Sequence, residues 1–364
     1  MRIYNLFAND IIMELKRTYF SIVLLTILFV AVSCSTKQKE VLQNEEFNMV
    51  KQKAAEENQS FCIVLLDTAD VTSKIYEERL EKSNIGAIFN VINTEMPQNS
   101  WYRQWLYSNS APITCIFTSS GELVDIIPGA SRKCFNCIKQ VVKKDLMCKE
   151  LKYYNNFSME KRELIPLLNE ILQCKLDLEK GVNIESRIDN LLGSVGYPYV
   201  DYLRMMNSLN YKENKIAQSA AKHLQTFNND LELEVYPELF SFAKGVVDPN
   251  YDPKMEPVLE CEGLIHLDNC EKDIAKPFEI SISNMGETPL EVLDIQLDCS
   301  CVTLRGEKTY TISPHQSQNI NFDFTANKEG QVIREIFLKS NSIRPIKRIK
   351  IIANSILSER KEVL

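Results

Sequence analysis

Eleven cysteines in 364 residues are the side chains here best equipped to do chemistry. Cys134-Phe135-Asn136-Cys137 falls early in an expected helix, from about Ser131 to Cys148. A helix N-terminus favours a thiolate, and Arg132 and Lys133 add positive charge, so this pair could exchange disulfides. Cys134 and Cys137 also share a helical stripe with Ile138, Val141 and Cys148, where cysteine serves as a small core residue or forms a quiet disulfide. Cys299-Ser300-Cys301 continues an alternation begun by Leu293, Ile295 and Leu297. Residues i and i+2 of a strand lie on one face about 6.5 Å apart, the outer limit for a bridge. Core packing, a disulfide pair and a metal site all stay open for Cys299 and Cys301. Cys261 and Cys270 could bridge the first strands of the same region. No further ligand stands at zinc-like spacing, so neither metal nor cofactor is expected. No Ser/His/Asp set, Walker loop or zincin motif is present. His223 reads as a packed or surface residue on a helix, and His266 and His315 have no evident partner.

The first segment sets the compartment. Lys16 and Arg17 precede the apolar run Tyr19 to Val32, too short for a membrane-spanning helix, which needs about 20 residues. Met13 begins a more typical signal than Met1. Ala31-Val32-Ser33-Cys34 resembles the lipobox of bacterial lipoproteins, with Ala where Leu is commoner at its first position. The resemblance implies that residues 1–33 are a signal peptide, that Cys34 is acylated, and that the chain is held at a lipid bilayer. Ser35 after that Cys favours the outer membrane by the same resemblance. Net charge is −7, so nucleic acid is not an expected partner. Apolar and charged contents of 45% and 25% are those of a globular protein.

The elements that must position these cysteines follow in order. Residues 34–60 read as a tether and a first helix with Phe47, Val50 and Ala54 on one side. Phe61 to Asp67 and Ile85 to Ile92 are short apolar runs fit for buried parallel strands. Between them lies a helix from about Val71 to Lys82, and Ser100 to Tyr107 puts Trp101 and Trp105 on one helix face. Ala111-Pro112-Ile113-Thr114-Cys115 opens a hairpin that turns at Ser119-Ser120-Gly121 and closes at Pro128-Gly129-Ala130. The order βαβαββα over 61–149, with Pro112 at the head of that hairpin, resembles a thioredoxin-like α/β domain. The resemblance implies a cis Pro112. A catalyst of that family carries Cys-x-x-Cys after its first strand, whereas this chain has Asp67-Thr68-Ala69-Asp70 there. Cys62 and Cys115 lie elsewhere in the same domain, Cys115 close to where the family's substrates approach.

Residues 150–247 carry four or five amphipathic helices, as in Leu164, Leu168, Ile171 and Leu172. Residues 248–257, with three prolines, read as an extended linker. From 258 to 357 the apolar period becomes two, with turns at 284–287, 305–307, 313–315 and 327–330, as in a sandwich of about seven strands. Phe278-Glu279-Ile280-Ser281-Ile282-Ser283-Asn284-Met285-Gly286-Glu287-Thr288-Pro289-Leu290, followed by Cys299-Ser300-Cys301, resembles an uncharacterised bacterial Ig-like family related to the ASPM–SPD-2–hydin sandwich. Members usually carry Cys-Gly-Cys and Pro-Gly where this chain has Cys299-Ser300-Cys301 and Pro314-His315.

The fold class expected is thus multidomain, α/β plus all-β: a thioredoxin-like domain, a helical region and a C-terminal Ig-like β-sandwich. The first functional reading is a non-catalytic cell-envelope lipoprotein that binds an envelope protein through its Ig-like and degenerate thioredoxin-like domains. The second is a thiol–disulfide oxidoreductase or redox sensor built on Cys134 and Cys137, with Cys115 and Pro112 nearby.

Overall fold

Every residue from Phe61 to Leu66 is buried, as only a central strand covered on both faces allows. In the computed structural model this run is the middle of a five-stranded sheet. The structure describes residues 39–67, 71–153, 156, 159–192 and 196–356. The expected signal segment, Met13 and Cys34 lie outside the described residues. Among the described residues no helix is long and apolar enough to cross a membrane.

The sheet comprises β1 (Glu40–Gln43), β2 (Phe61–Leu66), β3 (Ile88–Asn93), β4 (Ile113–Phe117) and β5 (Leu123–Pro128), in the order β1-β3-β2-β4-β5. β1 and β2 run parallel to β3, while β4 runs antiparallel to β2 and β5. The helices α1 (Phe47–Glu56), α2 (Val71–Lys82), α3 (Ser100–Leu106) and α4 (Arg132–Lys144) connect or follow these strands. The Ala111–Pro112 bond is cis, and Gly121 takes the positive φ that the hairpin turn requires.

One sheet face, with Cys62, Val64, Phe89 and Ile116, packs against α2 and α4. The other, with Phe61, Ile63, Cys115 and Phe117, packs against α1, α3 and the helical region. Among its described residues that region has six helices, α5 (Lys161–Glu179), α6 (Glu185–Leu192), α7 (Pro198–Asn210), α8 (Asn214–Leu224), α9 (Asp230–Val235) and α10 (Pro237–Val247). It shares one core with the sheet. Trp105 Nε1 donates to Leu168 O at 2.9 Å, and the Tyr197 and Tyr236 hydroxyls donate to Gln104 O at 2.6 and 2.9 Å.

Among the described residues the C-terminal part is a two-sheet sandwich of nine strands, more than the alternation alone suggests. They are β6 (Leu259–Glu260), β7 (Leu264–Glu271), β8 (Ala275–Asn284), β9 (Leu290–Leu297), β10 (Val302–Arg305), β11 (Tyr310–Ile312), β12 (Ser317–Thr325), β13 (Gly330–Ser340) and β14 (Ile346–Ile356). Sheet orders are β10-β12-β8-β6 and β11-β9-β13-β14-β7. Ile280, Ile282, Phe322 and Phe324 of one sheet share the core with Val292, Ile295, Ile336 and Ile349 of the other. The expected unbroken register from Leu293 onward is corrected here. Lys339 pairs with Asp294 and Ser340 with Val292, so Leu293 is an extra residue, and it is 48% exposed. Residues 248–257 are likewise no free linker. A 3-10 turn at Pro253–Met255 shortens them, and Lys244 pairs with Glu256 at 2.8 Å.

Candidate functional site

The Cys134/Cys137 pairing is overturned by the way α4 ends. Asp145 caps the helix in the left-handed region, at φ 51°. Had the helix continued to Cys148, that residue would stand about 16 Å along the axis from Cys137. The turn instead returns Cys148 to a Cα–Cα distance of 5.8 Å from Cys137, and these two form the disulfide. Cys134 is a free buried thiol between Ser131 Oγ at 3.0 Å and Pro128 O at 3.1 Å. It lies near Pro112, since a Cβ on Gly129 would sit 3.6 Å from its Sγ and the Gly129 amide donates to Pro112 O at 2.8 Å. Cys115 and Cys62 are buried on opposite faces of the sheet, and burial pushes both thiols well above their ordinary range. All of these cysteines are buried, whereas a reactive thiol must be exposed.

Beside the Cys137–Cys148 bridge lies a buried ion pair that sequence inspection missed. Asp125 is fully buried on β5 and Lys161, 8% exposed, opens α5. Lys161 Nζ donates to Asp125 Oδ1 at 2.6 Å and to Cys148 O at 3.2 Å. The amides of Ile126 and Cys148 donate to the two carboxylate oxygens, each at 2.7 Å. Burial raises the Asp125 carboxyl above the usual range, and Lys161 with the two amides offsets part of that. This network fixes the chain segment that carries Cys148. His223, read from the sequence as a packed or surface residue on a helix, places Nδ1 3.0 Å from Asp201 Oδ2. Burial also raises the Asp201 carboxyl, with His223 opposing the shift.

The end of β2 is a junction between the two halves of the chain. Asp67 Oδ2 accepts from Lys350 Nζ of β14 at 2.5 Å, with side chains 16% and 10% exposed. The same basic edge meets acidic helices beside it. Arg348 pairs with Glu234 at 2.9 Å, Lys339 with Asp230 at 2.6 Å and Arg344 with Glu238 at 3.0 Å. A cleft of about 290 Å³ remains at the junction, lined by Asp67, Glu95 and Glu234 as well as Arg103 and Lys347, so it presents no single sign of charge. Lys350→Met leaves a largely desolvated carboxylate at Asp67. Its expected cost is about 2 kcal/mol, between the buried and surface cases. Denaturant midpoints of Lys350→Met, Asp67→Asn and the double variant measure it, and an additive cycle would show the pair contributes nothing.

In the sandwich, Cys261 and Cys270 are separate free thiols rather than a bridge. Cys299 and Cys301 lie past the end of β9, in the turn before β10. There Cα–Cα is 5.3 Å, closer than an extended strand allows, and the two are bridged. Arg334 Nε lies 3.1 Å from Cys299 Sγ and 3.0 Å from Cys301 Sγ. Arg334 sits 33 residues beyond Cys301 in sequence, so only the pairing of β9 with β13 brings it here. His315 lies 3.5 Å from Glu287, and both are exposed. Among the described residues no group of His, Cys, Asp and Glu could hold a metal.

Against known proteins, the chain is similar to a solved protein of unknown function from Porphyromonas gingivalis W83, at 20% identity over 29% of this chain and 50% of that one, TM-score 0.26. The chain therefore spans half the length of that relative. It is also similar to the ASH / PapD-like domain of human CEP192, at 11% identity over 30% of this chain and 92% of that one, TM-score 0.25. SSP-19, an MSP-domain-like protein of Caenorhabditis elegans, matches at 9% identity over 25% and 94%, TM-score 0.21. At such scores these likenesses carry no argument. No curated protein matches the chain. Residues 262–355 match a family, so the C-terminal sandwich is a domain of the kind described as Protein of unknown function (DUF1573).

Proposed function

We propose that the chain is a cell-envelope lipoprotein, held in a bilayer by acylated Cys34, that acts by binding a protein partner through its Ig-like and thioredoxin-like domains. The observation that carries this reading is the Asp67–Lys350 pair. The place where a thioredoxin-type catalyst keeps its thiols holds a carboxylate at the end of β2, tied to the sandwich. Sandwiches of this kind mostly recognise rather than react, although a fold does not by itself give a function. The alternative, an oxidoreductase on Cys134 and Cys137, is weakened by the burial of both sulfurs and by the partner Cys148.

The test follows the mature protein in bacterial cells. Wild-type chain should incorporate labelled fatty acid and sediment with membranes, most of it with the outer membrane. Cys34→Ser should lose the label and leave the membrane fraction. Persistent labelling of Cys34→Ser would overturn the anchor. A chain with Cys299 and Cys301 replaced by serine should reduce insulin no faster than dithiothreitol alone. Turnover there that Cys134→Ser abolishes would establish the oxidoreductase instead.

A further inference from the structure

We propose that the Cys299–Cys301 bridge is a thiol–disulfide exchange site on the sandwich, with Arg334 stabilising the leaving thiolate and an exposed dithiol of another protein as its substrate. The proposal is independent of the binding reading, because it rests on a different domain and on other residues. Three observations carry it. The bridge sits in a turn at the end of β9, with both cysteines partly exposed, unlike the buried Cys137 and Cys148. It spans a single residue, so it constrains the unfolded chain less than the Cys137–Cys148 bridge, which spans a separation of 11. It can therefore open while the sandwich stays folded. Finally, a guanidinium reaches both sulfurs, and positive charge beside a thiol favours the thiolate.

The hydrogen bonds also assign the direction of attack. Cys299 Sγ receives two donors, Arg334 Nε and the Cys301 amide at 3.1 Å. For Cys301 Sγ the donor is Arg334 Nε. Cys299 is thus the better leaving group and Cys301 the sulfur attacked. A substrate thiolate attacks Cys301 Sγ, the Sγ–Sγ bond breaks, and its electron pair departs on Cys299 Sγ. The mixed disulfide is then resolved by the substrate's second thiolate, which attacks the substrate sulfur and releases Cys301 as a thiolate. Two electrons have moved. The substrate dithiol is oxidised to a disulfide, the protein disulfide is reduced to a dithiol, and the substrate's two protons go to the solvent or to the released thiolates.

The experiment uses the mature, folded chain and dithiothreitol as the dithiol. Graded dithiothreitol is added, thiols are trapped by alkylation, and each cysteine is read by mass. The 299–301 peptide should convert from bridged to doubly alkylated at a concentration that leaves Cys137–Cys148 bridged, the buried sandwich thiol Cys270 unlabelled and amide exchange along β8 and β12 unchanged. In the reduced protein, Cys299 should alkylate at pH 7 about tenfold faster than in the urea-unfolded chain, with its half-maximal pH lowered by about one unit. Arg334→Gln should remove most of that difference and Arg334→Lys should keep much of it. Cys301→Ser isolates Cys299 and should retain the lowered half-maximal pH. A bridge that opens only on unfolding, or a Cys299 that alkylates alike folded and unfolded, would overturn the proposal. The second comparison uses wild-type protein, so it holds whether or not the Arg334 variants fold.

Discussion

Lys161→Met should cost about 3–5 kcal/mol of stability at pH 7, the range for removing one partner of a buried ion pair. Asp125 keeps the Ile126 and Cys148 amides but loses its counter-charge, at a site with no exposed surface. The Cys148 carbonyl loses a donor at the same time. Both tryptophans of the chain lie in this half of the molecule, and Trp105 is hydrogen-bonded to Leu168 on the helix that Lys161 opens. Urea unfolding followed by tryptophan fluorescence therefore reports the loss. The pH dependence separates the ionic cause from lost packing. A carboxyl raised in the folded state binds its proton more tightly there than in the unfolded chain, so its contribution is greatest below the unfolded value, about 3.9, and falls as pH rises through the folded value. Wild-type Asp125 is already raised by burial, and loss of Lys161 raises it further. The gap between Lys161→Met and wild type should thus narrow as pH falls from 7 toward 4. Adding Asp125→Asn should recover part of the loss at pH 7. A cost below 1 kcal/mol, or one that does not vary with pH, would show that the pair does not hold this corner together.

That ion pair also marks where the sequence stops being informative. The apolar run at Phe61–Leu66, the hairpin opened by Pro112 and the alternation of Ile320, Phe322 and Phe324 are local patterns, and the structure places them as strands. Asp125 and Lys161 stand 36 residues apart, and neither is distinguished locally from any surface charge. β1 was hidden for the opposite reason. Glu40-Val41-Leu42-Gln43 is too short and polar to read as a strand, and becomes one only because β3 offers it an edge.

At Cys148 the expected partner changes because a single residue reverses the chain direction. A periodic pattern carries Cys148 along the stripe of α4, but Asp145 in the left-handed region breaks the period and chooses the disulfide partner. Leu293 shifts the period within β9 without turning the strand. One extra residue turns Val292 and Ile295 inward together, and Leu297, Cys299 and Cys301 then keep the side of Ile295 and pack on the same core. Asp and Leu are not strong signals for a left-handed turn or a bulge, so neither event was legible. Arg334 was beyond reach for the same reason as Lys161, because strand pairing rather than spacing brings it to the sulfurs.

Asn284, by contrast, was visible as part of the Asn-Met-Gly phrase, and the structure supplies its reason and a strong expected effect. Its side chain is fully buried and all of its hydrogen-bonding capacity toward backbone is in use. Nδ2 donates to Thr288 O at 2.8 Å and to Ile312 O at 3.1 Å, while Oδ1 accepts from Gly286 N at 3.0 Å and Val258 N at 3.4 Å. One amide thus joins the end of β8, the turn into β9, the end of β11 and the entry to β6. Gly286 is required beside it, because a Cβ there would come within 2.3 Å of Glu256 O. Asn284→Ala strands the buried Gly286 amide and Ile312 carbonyl and removes the partner of the part-buried Val258 amide and Thr288 carbonyl. At 1–3 kcal/mol for each group that water cannot reach, and with some relaxation, the expected cost is on the order of 4 kcal/mol. Because both tryptophans lie outside the sandwich, the loss should be read by calorimetry, or by faster amide exchange along β8 and β12, with tryptophan fluorescence little changed. Asn284→Asp keeps the shape and both accepted bonds but sets a carboxylate against two carbonyls. It should cost at least as much as Asn284→Ala at pH 7 and less at pH 4, where a protonated carboxyl can donate to one carbonyl. If Asn284→Asp were equally stable at both pH values, the amide would not be the joint that the geometry makes it.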